Sequence, residues 1–339
     1  MPESHTQDPW AITPFAFPAG QPPAARLAHL AGWALLAPSS HNTQPWRFRI
    51  TGPTLELRAD RSRALPVVDP MDRALVISCG AALANLCLAA AALGEALEVA
   101  RLPAPEDPDL LARVTARGAC PAEDPGVLDA MRARRTTRRP FDAAPLPEAL
   151  LRAASAAAHP GATLHWRTTA ADRHAIAELV AEGDRLQMAD PRFRAELADW
   201  VHSRRAASRD GLSADSFGMP DLLSFAGALA IRRFDMGAGQ AAKDLALADG
   251  APALGLLATP GDARADWLAA GEAMQRALLV LTAAGVTSAY LNQPIEVPAL
   301  RPRLAALLGT AEWPQILIRA GRGPALPPSV RRPLAAVLD

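Results

Sequence analysis

Hydrophobic positions along the 339-residue chain keep two rhythms. From Ala24 to Ala37 they recur at helical spacing, at Leu27, Leu30, Ala31, Ala34 and Leu35. Trp46–Ile50 and Thr54–Ala59 then alternate as paired strands around a Gly52-Pro53 turn. Next comes a run without any charge, Ala74 to Leu93, opened by Asp69 or Asp72 and stopped by Gly94. It is long enough to cross a membrane. Alanine dominates it, however, and Ser78, Gly80 and Asn85 interrupt it, so a fully buried core helix is expected. Ala96–Leu102 and Leu110–Arg117 read as strands, separated by a linker from Pro103 to Pro108.

A second cycle starts near Gly126 with a helix through Arg132. The pattern predicts a helix over Pro147–Ala158, a strand over Thr163–Thr169, and helices over Ala171–Met188 and Pro191–Arg205. After a polar loop from Ser208 to Pro220 come a strand at Ala251–Thr259, a long helix from Asp262 or Asp266 to Ala284, and a stop at Gly285. Pro314–Ala320 is a last strand and Leu326 to Asp339 a tail. Both cycles pass through helix, loop, a strand carrying Trp-Arg, a long Ala-rich helix and a glycine stop. Trp46-Arg47 answers to Trp166-Arg167, and Gly94 to Gly285. That order implies an α+β chain built by internal duplication, with a mixed sheet core and long buried Ala-rich helices. The expected division is an extended arm over residues 1–23, a first half over 24–125 and a second over 126–339, with a lid-like insertion at 184–240.

Lys and Arg total 35, as do Asp and Glu, so the formal net charge is zero. This balance argues against a general polyanion binder or a membrane-surface protein, and neither nucleic acid nor membrane is expected as a partner. Three cysteines lack metal-ligand or redox spacing, which suits reduced thiols and a cytoplasmic setting. The N-terminus has no basic-then-apolar signal pattern. His159, His165 and His174 have no zinc-ligand spacing, and no G-x-S-x-G elbow occurs. Gly237 to Ala242 fits G-x-G-x-x-A but follows a helix-like stretch rather than a strand. Glu178, Glu182 and Asp184 read as a solvated helix face.

Two strings remain. Ala37-Pro38-Ser39-Ser40-His41-Asn42-Thr43-Gln44-Pro45-Trp46-Arg47-Phe48 packs short polar side chains between two prolines. Such groups hydrogen-bond to backbone, as a helix stop would require, or to a polar ligand. Arg134-Arg135-Thr136-Thr137-Arg138-Arg139-Pro140-Phe141 places four arginines within six residues. These could cradle a phosphate with fork-shaped, permanently charged donors, or form a solvated basic face.

The first string resembles the flavin-binding loop of the nitroreductase superfamily, A-P-S-S-x-N-x-Q-P-W-x-F, with every position filled. The second resembles the family's R-R-S-x-R-x-F opener, with Thr136 in place of serine. Gly285 to Pro294 is similar to the segment that faces the flavin ring edge, and Arg331-Arg332-Pro333-Leu334 to a basic pair near the C-terminus. The resemblance implies FMN as cofactor. It assigns Pro38, Ser39, Ser40, Asn42 and Gln44 to the loop side of the flavin. Arg134, Thr136 and Arg138 fall to phosphate and ribityl, Leu291, Asn292 and Gln293 to the ring, and Arg331 and Arg332 to completion of phosphate binding.

Family members are homodimers whose sites each draw the serine loop from the partner. Here one chain carries each contributor once, which resembles the duplicated, Acg-like branch. The implied fold is nitroreductase-like, a fused intrachain pseudo-dimer with one FMN site that lets a monomer suffice. The implied function is ping-pong reduction of nitro or quinone-like acceptors by NAD(P)H. Redox chemistry then belongs to the flavin, no protein residue is nominated as catalytic, and His41 is read as a hydrogen-bonding loop histidine. A lid-like insertion raises the alternative of an FMN-sequestering protein with little turnover.

Overall fold

The computed structural model describes residues 8–158, 160–202, 207–213, 224–324 and 326–339. His159, much of the polar loop after Ser208 and part of the expected insertion therefore lie outside the described residues. In chain order the first part comprises α1 (Pro23–Ala34), β1 (Trp46–Thr51), β2 (Thr54–Ala59), α2 (Arg73–Ala92), β3 (Glu95–Arg101) and β4 (Leu110–Ala119). A short helix, α3 (Gly126–Ala133), leads to the second part, which opens with α4 (Glu148–Ala156) and β5 (Thr163–Arg167). There follow α5 (Ala170–Ala189), α6 (Pro191–Asp199), a small parallel pair β6 (Val201–His202) and β7 (Leu212–Ser213), α7 (Ser224–Arg233) and α8 (Gly237–Asp249). The chain closes with β8 (Ala253–Thr259), α9 (Arg264–Ala283), β9 (Thr287–Tyr290), α10 (Gln293–Glu296), α11 (Arg301–Leu308) and β10 (Trp313–Gly321).

The two four-stranded sheets run β1-β2-β4-β3 and β5-β8-β10-β9. Counted within each sheet, both orders are first, second, fourth, third. In both, one 20-residue helix sits between the second and third strands. Every pairing within these sheets is antiparallel. Parallel pairing enters at their edges, through single bridges Phe48–Leu338 and Thr136–Ser288. Gly94 and Gly285 end the two long helices with φ of 73° and 71°, a left-handed turn that glycine adopts without steric cost. The Trp-Arg pairs do not occupy equivalent places. Trp46 opens β1 opposite Ala59, whereas Trp166 lies near the far end of β5 opposite Gly255. Where the first part turns at Gly52-Pro53, the second inserts α5 to α8, a wider interruption than 184–240.

The long helices pack on each other, which buries the uncharged run. Their contact is backbone on backbone: a Cβ at Gly80 would meet the Leu268 carbonyl oxygen, and one at Gly271 the Ile77 carbonyl oxygen. Asn85 is fully buried there, accepting from Gln275 Nε2 at 2.7 Å and donating to the Trp33 carbonyl at 3.1 Å. Asp72 stands at the N-cap of α2 but makes no capping bond. Asp69 does that work, accepting from the amides of Ala74 and Leu75 at 3.0 and 2.9 Å.

Two termini fold back over this frame. The tail joins the edge of β1, with Phe48 N donating to Val337 O and Asp339 N to Phe48 O, which returns Arg331 and Arg332 to the serine loop. The arm is not simply extended. It makes single turns at Pro9–Ala11 and Pro14–Ala16, and Trp10, Ile12 and Phe17 pack against the main core. Proline at the first position of each turn presets φ for it.

Candidate functional site

The serine loop follows α1 and holds three non-glycine residues in the left-handed region: His41 (φ 48°), Asn42 (55°) and Gln44 (52°). Such backbone persists only where surrounding bonds over-determine it. Here they do. Ser39 Oγ accepts from Gln44 N at 2.9 Å, and Asn42 Oδ1 accepts from Arg331 Nη1 at 2.9 Å. Asn42 Nδ2 donates to the carbonyls of Gly211 and Val330. Gln44 Oε1 accepts from Arg332 N at 2.7 Å while its amide donates to Arg209 O at 2.9 Å.

The loop faces a cavity of about 640 Å³, a volume in the range of small-molecule and cofactor sites. Pro38, Ser39 and Ser40 line it from the first part, and Arg138, Leu291, Asn292 and Gln293 from the second. The other residues singled out in the sequence stand behind that lining. Asn42 and Gln44 brace the loop, as just described. Arg332 is tied to Gln44 O and to Asp60, at 3.1 and 3.3 Å. Arg134, Thr136 and Arg331 form a second layer. Within the lining, Asn292 Oδ1 accepts from Leu317 N at 2.9 Å. Ile77 and Ser78 of α2 and Met274 of α9 supply one wall, and Met188, Phe193, Leu197 and Ile231 of the inserted helices another.

Behind the lining lies concentrated positive charge. Arg331 is 3% exposed and donates to the carbonyls of Leu35 and Ala37 at the end of α1, at 2.8 and 3.2 Å. Arg134, also 3% exposed, donates to Leu36 O at 3.3 Å and to Thr136 Oγ1 at 3.4 Å. Helix-end carbonyls suit a cation but cannot neutralise one. Among the described residues no carboxylate pairs with Arg134, Arg135 or Arg331. Burial, then Arg134 and Arg135 alongside, lowers Arg331 to about 9, and burial lowers Arg134 as well. Buried Arg134 Nε and the Tyr290 hydroxyl have no hydrogen-bond partner among the described residues. Tyr290 also lines the cavity; burial raises its hydroxyl above the ordinary range, and Arg134 and Arg331 oppose that rise. Uncompensated guanidinium groups with spare donors are what a phosphate dianion requires.

The opposite wall carries carboxyl groups the sequence reading missed. Asp184 is buried at 4% exposure and lines the cavity, which corrects its placement on a solvated face; Glu178 on the same helix is exposed. The signal was present in the spacing, because Asp184 continues the stripe of Ile176, Ala177, Val180 and Ala181 that α5 buries. Gln293 Nε2 bridges Asp184 Oδ1 and Asp244 Oδ2 at 3.1 and 2.9 Å, while Asp184 Oδ2 has no partner. Burial and the neighbouring Asp244 push Asp184 up to about 8. Asp244 is also raised by burial, although Gln240, Lys243, Arg138 and Arg319 oppose the rise. His41 lines the cavity with an unpartnered Nδ1, contrary to the hydrogen-bonding role expected of it. Burial, reinforced by Arg138, lowers it to about 4.

Among the described residues no cluster of His, Cys, Asp or Glu could hold a metal ion. Burial raises Cys79 far above the ordinary thiol range and pushes Cys87 up to about 12, so neither is a ready nucleophile. The G-x-G-x-x-A run opens α8 after a helix, not a strand, although Gly239 and Gln240 line the cavity.

A model of the nitroreductase family matches residues 131–322. The chain is similar to Rv3131 of Mycobacterium tuberculosis, provisionally named an NAD(P)H nitroreductase, at 34% identity over 90% of this chain and 89% of that one. It is also similar to acg of the same organism, named in the same provisional way, at 32% identity over 90% and 92%. The crystal structure of an FMN and NADPH-dependent nitroreductase, NfnB from sphigopyxis, overlaps more loosely, with a TM-score of 0.43 and 22% identity over 63% of this chain and 97% of that one.

Proposed function

Since this chain belongs to the nitroreductase family, its Acg-like members included, we propose that it is an FMN-dependent oxidoreductase with one flavin per chain. The observation that carries this reading is the meeting of Pro38, Ser39 and Ser40 with Arg138 and residues 291–293 around one cavity, backed by Arg134 and Arg331, which pair with no carboxylate among the described residues. The Tyr290 hydroxyl would meet the phosphate, with the positive charge of Arg134 and Arg331 behind the lining to attract and hold it. Ser39, Ser40 and Arg138 would meet the ribityl and pyrimidine groups, and the backbone of Leu291 to Gln293 the ring edge. When bound, FMN would take electrons from NAD(P)H and pass them to a nitro or quinone-like acceptor in a ping-pong sequence. The chain's own part is to bind and orient the ring, and to keep water from it with Met188, Phe193, Leu197 and Ile231.

We read the polypeptide as two fused halves, 24–125 and 126–339, the first lending its loop and the second its arginines. The repeated strand order and the repeated placement of the long helix favour that division. Purified protein should be yellow, with a flavin-to-chain ratio near one. A colourless preparation that takes up no added FMN would refute the proposal. The apolar wall contributed by α5 to α7 favours a second reading, in which the covered flavin is held with little turnover. Stopped-flow mixing with NADPH separates the two, since rapid bleaching supports the reductase and no bleaching at millimolar NADPH supports sequestration.

A further inference from the structure

The N-terminal arm ends its path in an unusual place. The Trp10 ring lies against two guanidinium groups at once, 4.5 Å from Arg135 Cζ and 5.1 Å from Arg331 Cζ. Its Nε1 donates to Ser329 O at 2.7 Å, two residues before Arg331. The arm is docked along its length behind that ring. Ile12 fills the space a Cβ on Gly32 of α1 would need, 2.8 Å from its Cδ1, and Phe17 meets the His29 ring edge-on at 5.5 Å. One aromatic ring thus joins the arginine string, the C-terminal basic pair and the chain's beginning.

Arg135 and Arg331 repel each other, and Arg331 is buried where that repulsion is poorly screened. The negative face of an indole offsets such repulsion without supplying a counter-charge. An aspartate in the same place would also calm the arginines, but it would cancel the charge that an anion seeks. Trp10 leaves their net charge intact, excludes water from one side and limits the conformers open to Arg135.

We propose that Trp10 is a positioning residue for the flavin phosphate, and that the arm is a clamp which holds the phosphate end of the site closed and slows cofactor release. This rests on the reading of the cavity as an FMN site. Tightening comes from preorganisation: the guanidinium groups are already gathered when the phosphate arrives, so less freedom is lost on binding.

The test compares FMN with riboflavin, which lacks the phosphate, on wild type and on Trp10→Ala and Trp10→Phe. Affinity is read by isothermal titration and release by recovery of free-flavin fluorescence after dilution. Trp10→Ala should release FMN roughly tenfold faster, the scale of losing two cation–π contacts, and leave riboflavin affinity within about twofold. Trp10→Phe keeps a ring face and should retain most of the FMN preference. Circular dichroism melts on the apoproteins establish that the variants fold. Equal FMN release from folded Trp10→Ala and wild type would overturn the clamp while leaving the FMN site standing. Equal weakening of FMN and riboflavin would overturn the assignment to phosphate. A wild-type protein that binds neither flavin would sink the site and the clamp together.

Discussion

Two regions of the cavity meet the same difficulty in opposite ways. Behind one part of its lining Arg134, Arg135 and Arg331 gather positive charge with no carboxylate partner among the described residues; in another part Asp184 sits buried beside Asp244. A guanidinium group cannot readily shed its charge, so the basic end stays charged and invites an anion. A carboxyl group can keep its proton, so Asp184 is pushed toward its neutral form instead. Burial of like charges therefore favours an anion where the side chain is arginine and makes a pH-sensitive spot where it is aspartate.

Removing charge at the basic end should have the largest effect. Arg331→Ala deletes a buried cation that holds the α1 carbonyls and Asn42, and should weaken FMN binding by roughly a hundredfold, the range for a charge-assisted contact. Arg331→Lys should recover part of it in the same titration. Equal affinity in all three proteins would mean that the basic end does not face the phosphate.

At the acidic end the effect is on stability. The unfolded Asp184 carboxyl ionises near its ordinary value, while the folded one keeps its proton to about 8. Between those values the folded chain binds more protons, so stability falls as pH rises through the window and levels off above it. Asp184→Asn should therefore raise the melting temperature of the apoprotein by a few degrees at pH 8, about 1.4 kcal/mol or more. Near pH 4 it should change little. Parallel melting curves for the two proteins across pH 4–9 would contradict this.

His41 should show the reverse slope on a smaller scale. Its folded value of about 4 lies below the ordinary 6.5, so the unfolded chain takes the proton first and stability drops as pH falls through that interval. His41→Gln should flatten the acid side of the melting profile; an unchanged slope would assign it to other groups. The smallest expected effect is Ser39→Ala, which removes the oxygen that accepts from Gln44 N. One lost bond of about 1 kcal/mol should lower the melting temperature by roughly 1–2 °C and weaken FMN several-fold. A melting temperature equal to wild type would mean that the left-handed loop is fixed without it.

Local signals carried much of this protein. The A-P-S-S string, the arginine string and the burial of the α2 run were legible because they depend on residue identity and spacing within one segment. Asp184 was passed over because two acidic neighbours on α5 suggested a wet face, although its position on the apolar stripe pointed inward. The strand β9 and helix α11 were also missed: both are short, and β9 lies in the Gly285 to Pro294 segment, read for its chemistry instead. Trp10 was hidden in a proline-rich arm with no period at all.

Sequence by itself determined which side chains could serve a phosphate and a flavin, and that each kind occurs in a different half. Tertiary structure decided which of them reach the cavity. Asn42, Gln44 and Arg332 satisfy one another as braces, because three left-handed backbone angles and the returning tail turn them inward to the protein. Part of what holds those angles comes from the tail, nearly three hundred residues away along the chain, and no local pattern contains that distance.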